Sequence, residues 1–208
     1  MKDIKILLTA FDPFGNESTN AVLEVINEVN DMSDVCRLTK LVLPTVFQKG
    51  SQILIEKARD LRPDAIIMLG QATGRHAITP ERVAINIMDA TIPDNENYSP
   101  VDVPIIEGAP DAYFSTLPIK EIVAALKDKD IPSAVSNTAG TFVCNQTMYS
   151  ILHFSRIELP QAKVGFIHIP CTPKQAEKGT PSMEVSIAAR GIESAIKTVV
   201  QIIEKQKE

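Results

Sequence analysis

Tryptophan is absent, aromatic residues make up 5% of the chain, and cysteine and histidine occur three times each. Each scarcity removes a class of function. Cys36, Cys144 and Cys171 are an odd number at wide spacing with no Cys-x-x-Cys pair, and only His76, His153 and His168 accompany them. Neither a disulfide framework nor a zinc site is expected from that set, and no metal is assigned. The net charge is −5 and Lys and Arg form no run, so the chain lacks the clustered cations that neutralise phosphates, and nucleic acid is set aside as a partner. No stretch approaches the ~20 apolar residues of a membrane helix, so no membrane partner is expected. Residues 1–10 carry a charge followed by apolar residues, but the run is short and interrupted by Lys5, and it reads as a first strand rather than a signal peptide. The expected compartment is the cytoplasm, where thiols stay reduced.

What remains is ordinary globular composition, with 44% hydrophobic and 23% charged residues in 208. That length suits a single domain spanning 1–208, able to bury roughly 70% of its unfolded surface. Strand and helix patterns alternate along it. Residues 4–9 are apolar apart from Lys5 and lead into Phe11-Asp12-Pro13-Phe14-Gly15-Asn16. The two phenylalanines there have no periodic reason to be present, and either staple the loop to the core or line a ligand crevice. Ser18, Thr19 or Asn20 can cap a helix over 21–29, with Val22, Val25, Ile26 and Val29 on one face. A second strand over 36–43 ends before Pro44 and precedes an amphipathic helix over 47–61.

Ala65-Ile66-Ile67-Met68-Leu69 is fully apolar, as a strand buried on both faces should be. The loop Gly70-Gln71-Ala72-Thr73-Gly74-Arg75 follows, its glycine spacing matching neither GxGxxG nor the P-loop. Residues 79–89 alternate as one strand, with Glu81 at its start, whose plain alternative is a surface carboxylate paired with Arg82 or Arg75. Residues 91–116 hold four prolines, Gly108 and several acids, and read as an irregular functional or interface excursion. A helix over 118–126, a short strand over 131–135, a helix beginning near Cys144, a strand over 163–170 and a helix over 184–205 complete the chain.

The chemistry gathers at Ser136-Asn137-Thr138-Ala139-Gly140-Thr141-Phe142-Val143-Cys144-Asn145. Turn formers separate a strand from a helix whose first turn contains Cys144. Unpaired N–H groups and the helix dipole there would lower a thiol pKa from about 8.5 towards neutrality. The alternative is a small buried apolar cysteine. His168 falls near the carboxyl end of its strand, on the sheet edge where open α/β sheets place their crevices. A cysteine hydrolase needs a thiolate, an imidazole to carry the proton, a polar group to orient the imidazole, and backbone donors for the oxyanion. Cys144 and His168 fit the first two roles, and spacing leaves the third open among Glu81, Asp89, Asn137 and Asn145.

Gly140-Thr141-Phe142-Val143-Cys144-Asn145, Phe166-Ile167-His168-Ile169-Pro170 and Thr79-Pro80-Glu81-Arg82-Val83-Ala84-Ile85-Asn86 together resemble the pyrrolidone-carboxylate peptidases, also called pyroglutamyl peptidase I. The resemblance extends through Thr9-Ala10-Phe11-Asp12-Pro13-Phe14-Gly15, Ile92-Pro93-Asp94-Asn95 and Pro181-Ser182-Met183, so it covers essentially the whole chain. It implies an α/β class, a three-layer α/β/α sandwich on a mixed, largely parallel central sheet. It implies removal of an N-terminal pyroglutamyl residue from peptides without a cofactor. It makes Cys144 the nucleophile, His168 the general base and acid, and Glu81 the orienting group. A lactam has no free amine, so its pocket needs apolar walls and a few amide partners; the resemblance supplies Phe11, Phe14, Ile92, Phe142 and Val143 as walls and Asn20, Thr45 and Gln71 as polar contacts. Bacterial members are often homotetramers, and by analogy a homo-oligomer is expected. Two departures stand out: Thr91 where the family commonly has Arg, and Cys171 where it commonly has Tyr.

Overall fold

The computed structural model describes residues 4–15 and 17–207. Asn16 and the first three positions of the expected first strand lie outside the described residues. The elements run β1 (Lys5–Phe11), α1 (Ala21–Glu28), β2 (Arg37–Leu43), α2 (Lys49–Leu61), β3 (Ala65–Gln71), β4 (Thr79–Pro80), β5 (Val83–Ile85), β6 (Ala112–Phe114), α3 (Ile119–Lys127), α4 (Val143–Glu158), β7 (Lys163–Ile169) and α5 (Val185–Lys207). The main sheet has the order β2-β1-β3-β7-β4, parallel throughout except for β4, which is antiparallel to β7. Its strands alternate between two cores. Ile6, Leu8 and Ala10 face a core shared with α1, α3 and α5, while Leu7 and Phe11 face a second core shared with α2 and α4. Helices therefore cover both faces of a mixed, mostly parallel sheet, giving the three-layer sandwich.

The local chemistry of the expected elements is visible in their ends. Of the three candidate caps for α1, Asn20 is used: its Oδ1 accepts the Val22 N–H at 3.2 Å. The central strand β3 is buried from Ala65 to Gly70, as its unbroken apolar run requires.

Two expected strands are different. Residues 79–89 are split: Thr79 and Pro80 belong to the main sheet, and residues 83–85 pair with β6 in a separate hairpin. Glu81 sits at the division, its N–H bonded to Phe166 O and the next N–H, of Arg82, to Ser136 O. The chain thus hands its hydrogen bonds from β7 to the 133–136 segment, and a regular two-residue alternation does not reveal such a change of partner. Residues 131–135 are extended but form only isolated bridges, Ile78 with Ser133 and, beyond them, Glu81 with Ser136. Pro132 has no N–H to give a continuous ladder.

Because β1, β2, β3 and β7 are parallel, the loops after them emerge at one edge. There Gly70 of β3 lies opposite His168 of β7 in the register. A Cβ on Gly70 would stand 2.6 and 2.7 Å from Phe166 ring atoms and 3.0 Å from His168 Cδ2. Gly70→Ala therefore overpacks the site wall, with an expected loss of about 1–3 kcal/mol and a Tm lower by several degrees. A thermal melt superimposable on that of the wild type would show that the two rings are not held as described.

Candidate active site

Five segments of the chain meet around a cavity of about 190 Å³ at this sheet edge. Its walls are Phe11, Phe14, Asn20, Thr45, Gly70, Gln71, Ala139, Phe142, Cys144 and His168. Gly140, at φ 76°, turns the chain just before α4. Cys144 is the second residue of that helix. The N-cap residue, Phe142, supplies no side-chain hydrogen bond, so the first-turn N–H groups, Cys144's among them, lack intrahelical partners.

His168 is held from behind. Its Nδ1 lies 2.7 Å from Glu81 Oε1, and Glu81 is fully buried. A carboxylate can only accept, so Nδ1 carries the proton and Nε2 is left as the acceptor a general base needs. Of the four groups left open for this position, the other amides are engaged elsewhere. Asn137 accepts from Arg82 Nε at 2.7 Å, and Asn145 is bonded to the backbone of Ile85 and Ile87.

Arg75 pairs with Glu81, as the plain alternative for that carboxylate had it, but the carboxylate is buried behind His168 rather than on the surface. Arg75 Nη1 donates to Glu81 Oε1 and to Thr79 Oγ1, both at 2.6 Å, and its Nη2 donates to Thr138 O at 3.0 Å. It joins the loop after β3, the Glu81–His168 pair and the turn before Cys144. It follows the Gly70–Gly74 loop, whose glycine spacing matches no phosphate loop, and it pairs with a buried carboxylate. Glu81 Oε2 has no hydrogen-bond partner among the described residues, the nearby Ser136 hydroxyl donating to Thr138 O at 3.1 Å.

These contacts set the charge states. Burial raises the Glu81 carboxyl, but the His168 bond and charge, with Arg75 adding to them, outweigh it and hold the group below its ordinary value. Burial lowers the His168 imidazole below its ordinary value; Glu81 opposes this and Arg75 adds to it. The expectation of a thiol near neutrality is corrected: burial, with the Glu81 charge behind it, pushes Cys144 up to about 12, against the opposing effects of Arg75 and the Cys144 N–H. Half-buried among aromatic rings, the sulfur loses more from poor solvation of its anion than it gains from the helix end. The resting site is a neutral thiol beside a neutral imidazole.

The aromatic residues form a connected wall. Phe11 stacks on Phe166 at 6.2 Å between centroids, Phe14 meets Phe142 at 6.1 Å, and Phe47 meets Phe142 edge-on at 5.2 Å. Two of the expected wall residues are elsewhere. Val143 is wholly buried in the core shared by α4 and the sheet, Ile92 is 45% exposed, and neither lines the cavity. Asn20 Nδ2 and Thr45 Oγ1 both donate to Asp12 O, at 3.1 and 3.0 Å, so they hold the phenylalanine loop. Asn95 Nδ2 donates to Pro13 O at 2.9 Å, and Asp94 Oδ2 accepts the Phe47 N–H at 2.9 Å. The irregular excursion thus clamps the pocket from outside. Cys171 is buried away from the cavity, its thiol donating to Pro181 O at 3.4 Å. Among the described residues no group of side chains is arranged to hold a metal ion, and no helix is long and apolar enough to cross a membrane.

A thiol at a helix start and a carboxylate-held imidazole, lining one cavity at the carboxyl edge of an α/β/α sheet, are the parts of a cysteine hydrolase. Residues 4–202 match the model of the family described as pyroglutamyl peptidase, and the chain belongs to that family. It is 48% identical over 200 residues to pyrrolidone-carboxylate peptidase 1 of Caldanaerobacter subterraneus, covering 95% of this chain and 98% of the relative. The crystal structure of Bacillus amyloliquefaciens pyroglutamyl peptidase I superimposes with a TM-score of 0.92 at 43% identity, covering 96% of this chain and 98% of that one. The pyrrolidone carboxyl peptidase from Thermococcus litoralis gives 0.93 at 38% identity, covering 98% and 96%.

The charge arrangement predicts the pH profile. A base must be unprotonated, and His168 titrates below its ordinary value of about 6.5, so the acid limb of kcat/KM lies below that pH. Arg75→Met removes a cation that disfavours the imidazolium, so the limb moves to higher pH. It also leaves Glu81 with one partner fewer, at a cost on the order of 3 kcal/mol. A limb that stays in place in Arg75→Met would show that Arg75 does not act on His168.

Proposed function

We propose that the chain is a single-domain peptidase in which Cys144 attacks the pyroglutamyl carbonyl of an N-terminally blocked peptide. The observation that carries the residue assignment is that Cys144 and His168 line one small aromatic cavity while Glu81 fixes the imidazole from outside it. At about 190 Å³ the cavity is smaller than the 300–1,000 Å³ usual for drug-sized ligands, and it suits one five-membered ring.

His168 Nε2 takes the thiol proton as sulfur bonds to the carbonyl carbon, so the thiolate forms only during attack. The carbonyl electrons move to oxygen, where the free N–H groups at the start of α4, Cys144's included, stabilise them. The tetrahedral intermediate collapses, the imidazolium gives its proton to the leaving nitrogen, and the shortened peptide departs, leaving a thioester. Water then attacks the thioester, losing its proton to His168, and releases pyroglutamate as the proton returns to sulfur. Glu81 stabilises the imidazolium in both halves, and Arg75 stabilises Glu81. No cofactor takes part. Phe11, Phe14 and Phe142 form the apolar seat, Gln71 supplies its polar contact, Val143 supports Phe142 from the core, Ile92 stands at the outer rim, and Asn20 and Thr45 hold the loop that shapes it.

The proposed setting is cytoplasmic, where a catalytic thiol stays reduced. Val101, Phe114 and Ile157, each more than 60% exposed, support a homo-oligomer, tetrameric by analogy with the family.

The test is release of a chromogenic amine from its pyroglutamyl amide, with the prolyl amide as control. Wild type turns over only the lactam compound, and Cys144→Ser loses at least about 10³-fold in kcat. Equal turnover of both amides, or an active Cys144→Ser, would remove the reading.

A further inference from the structure

Gln71 is the one polar side chain of the cavity whose amide has an end not bound to the backbone, and a second glutamine adds to the bonds that hold it. Gln71 Oε1 accepts two hydrogen bonds, from the Ala21 N–H at 2.8 Å and from Gln175 Nε2 at 3.1 Å. Its Nε2 makes one long contact, to Thr73 Oγ1 at 3.3 Å. Gln175 lies far along the chain, in the loop between β7 and α5. Its Nε2 also donates to Thr19 O at 3.1 Å, and its Oε1 accepts from the Thr172 N–H and hydroxyl, both at 3.1 Å. Neither amide can be turned round. A backbone N–H only donates and a backbone carbonyl only accepts, so Ala21 fixes which end of Gln71 is oxygen, while Thr19 and Thr172 fix both ends of Gln175. With its oxygen doubly engaged, Gln71 is left with an N–H donor to offer the cavity.

We propose that Gln175 is a positioning and specificity-determining residue: it locks Gln71 so that a donor faces the bound ring, which selects a ring carrying a carbonyl acceptor over a plain pyrrolidine. The inference rests on the proposed pyroglutamyl activity. A plain ring leaves that donor unpaired in an aromatic cavity, the arrangement that gives the largest discrimination between otherwise similar ligands. Without Gln175, Gln71 keeps only the Ala21 bond and the long Thr73 contact, and its amide swings away from the ring. The effect falls on binding, because Gln175 is joined neither to Cys144 nor to His168.

The experiment is a cycle of wild type, Gln175→Leu, Gln71→Leu and the double variant, each checked by thermal melting. KM for the pyroglutamyl amide is expected to rise about tenfold in Gln175→Leu, equivalent to about 1.4 kcal/mol, with kcat within about threefold, the pattern of lost uniform binding. In the Gln71→Leu background the Gln175 change has no further effect, because the interaction it supports is already gone. Gln175→Glu, nearly identical in shape, keeps the bonds from Thr172 but places an acceptor against Thr19 O and Gln71 Oε1, and it raises KM at least as much. Effects that add in the double variant, or a loss confined to kcat, would overturn the proposal. Binding of 2-pyrrolidinone, followed in the same proteins by its slowing of Cys144 alkylation, gives a readout without turnover. A wild type that binds 2-pyrrolidinone and leaves the amide intact sinks the peptidase reading while the cycle still decides Gln175. One that does not bind 2-pyrrolidinone overturns the Gln175 proposal.

Discussion

The hydrogen-bonded chain Arg75–Glu81–His168 is the constraint around which the catalytic edge is arranged. A carboxylate with no exposed surface is costly unless paired, and here one oxygen receives both a guanidinium and an imidazole N–H. The three residues come from the loop after β3, the end of β4 and the parallel strand β7. Glu81 can reach His168 only because β4 runs antiparallel to β7 and places Thr79 opposite His168. The one antiparallel strand of the main sheet therefore has a chemical reason. So does the break at Glu81, since a strand continuing straight would not deliver that side chain beneath the imidazole and then release the chain to the β5–β6 hairpin.

Much of this was legible in the sequence, and the illegible parts have a common cause. Apolar runs such as residues 65–69 marked buried strands, Asn20 was among three plausible caps, and the turn before Cys144 was plain from its Ser, Asn and Gly content. These are local properties. The division of residues 79–89 was not local, because alternation records which residues face inwards and not which neighbour supplies the hydrogen bonds. The burial of the Arg75–Glu81 pair and the role of Gln175 escaped for the same reason. Gln175 acts through a partner distant in sequence, and it looks like a polar residue of an exposed loop until that partner is placed. The thiol pKa failed differently: the helix start was correctly located, but the desolvation that opposes it depends on rings drawn from Phe14 and Phe142, far apart along the chain.

A high thiol pKa changes the order of events more than their feasibility. In the proposed mechanism, with both partners neutral at rest, the proton moves from sulfur to Nε2 only when the carbonyl carbon is in place to accept the electron pair. The cost of forming charge in the cavity is then shared with bond formation. The thiol is also shielded from indiscriminate alkylation and oxidation, which act on thiolates. Glu81 raises the cost of the lone thiolate but stabilises the imidazolium that accompanies attack, so its charge opposes the unproductive ionisation and favours the productive one. Arg75 tempers both effects, which is why it belongs to the catalytic unit although it faces away from the cavity lining.

The remaining charge to be met is the oxyanion, and here the departure at Thr91 bears on the design. Where the resemblance leads to an expectation of Arg, this chain has an exposed threonine, beside Ile92, which also stands outside the cavity lining. The neighbouring Asp94 and Asn95 keep their clamps on Phe47 and Pro13, so the exchange alters the rim without loosening the wall. The uncapped first turn of α4 supplies donors that are fixed by the helix and need no reorganisation as charge develops. One such donor is worth about 3–4 kcal/mol of transition-state stabilisation, whereas an exposed cation acts through water and is screened by salt. In the proposed mechanism the oxyanion is met by the backbone of the helix that carries Cys144, and Thr91 lies outside the cavity lining.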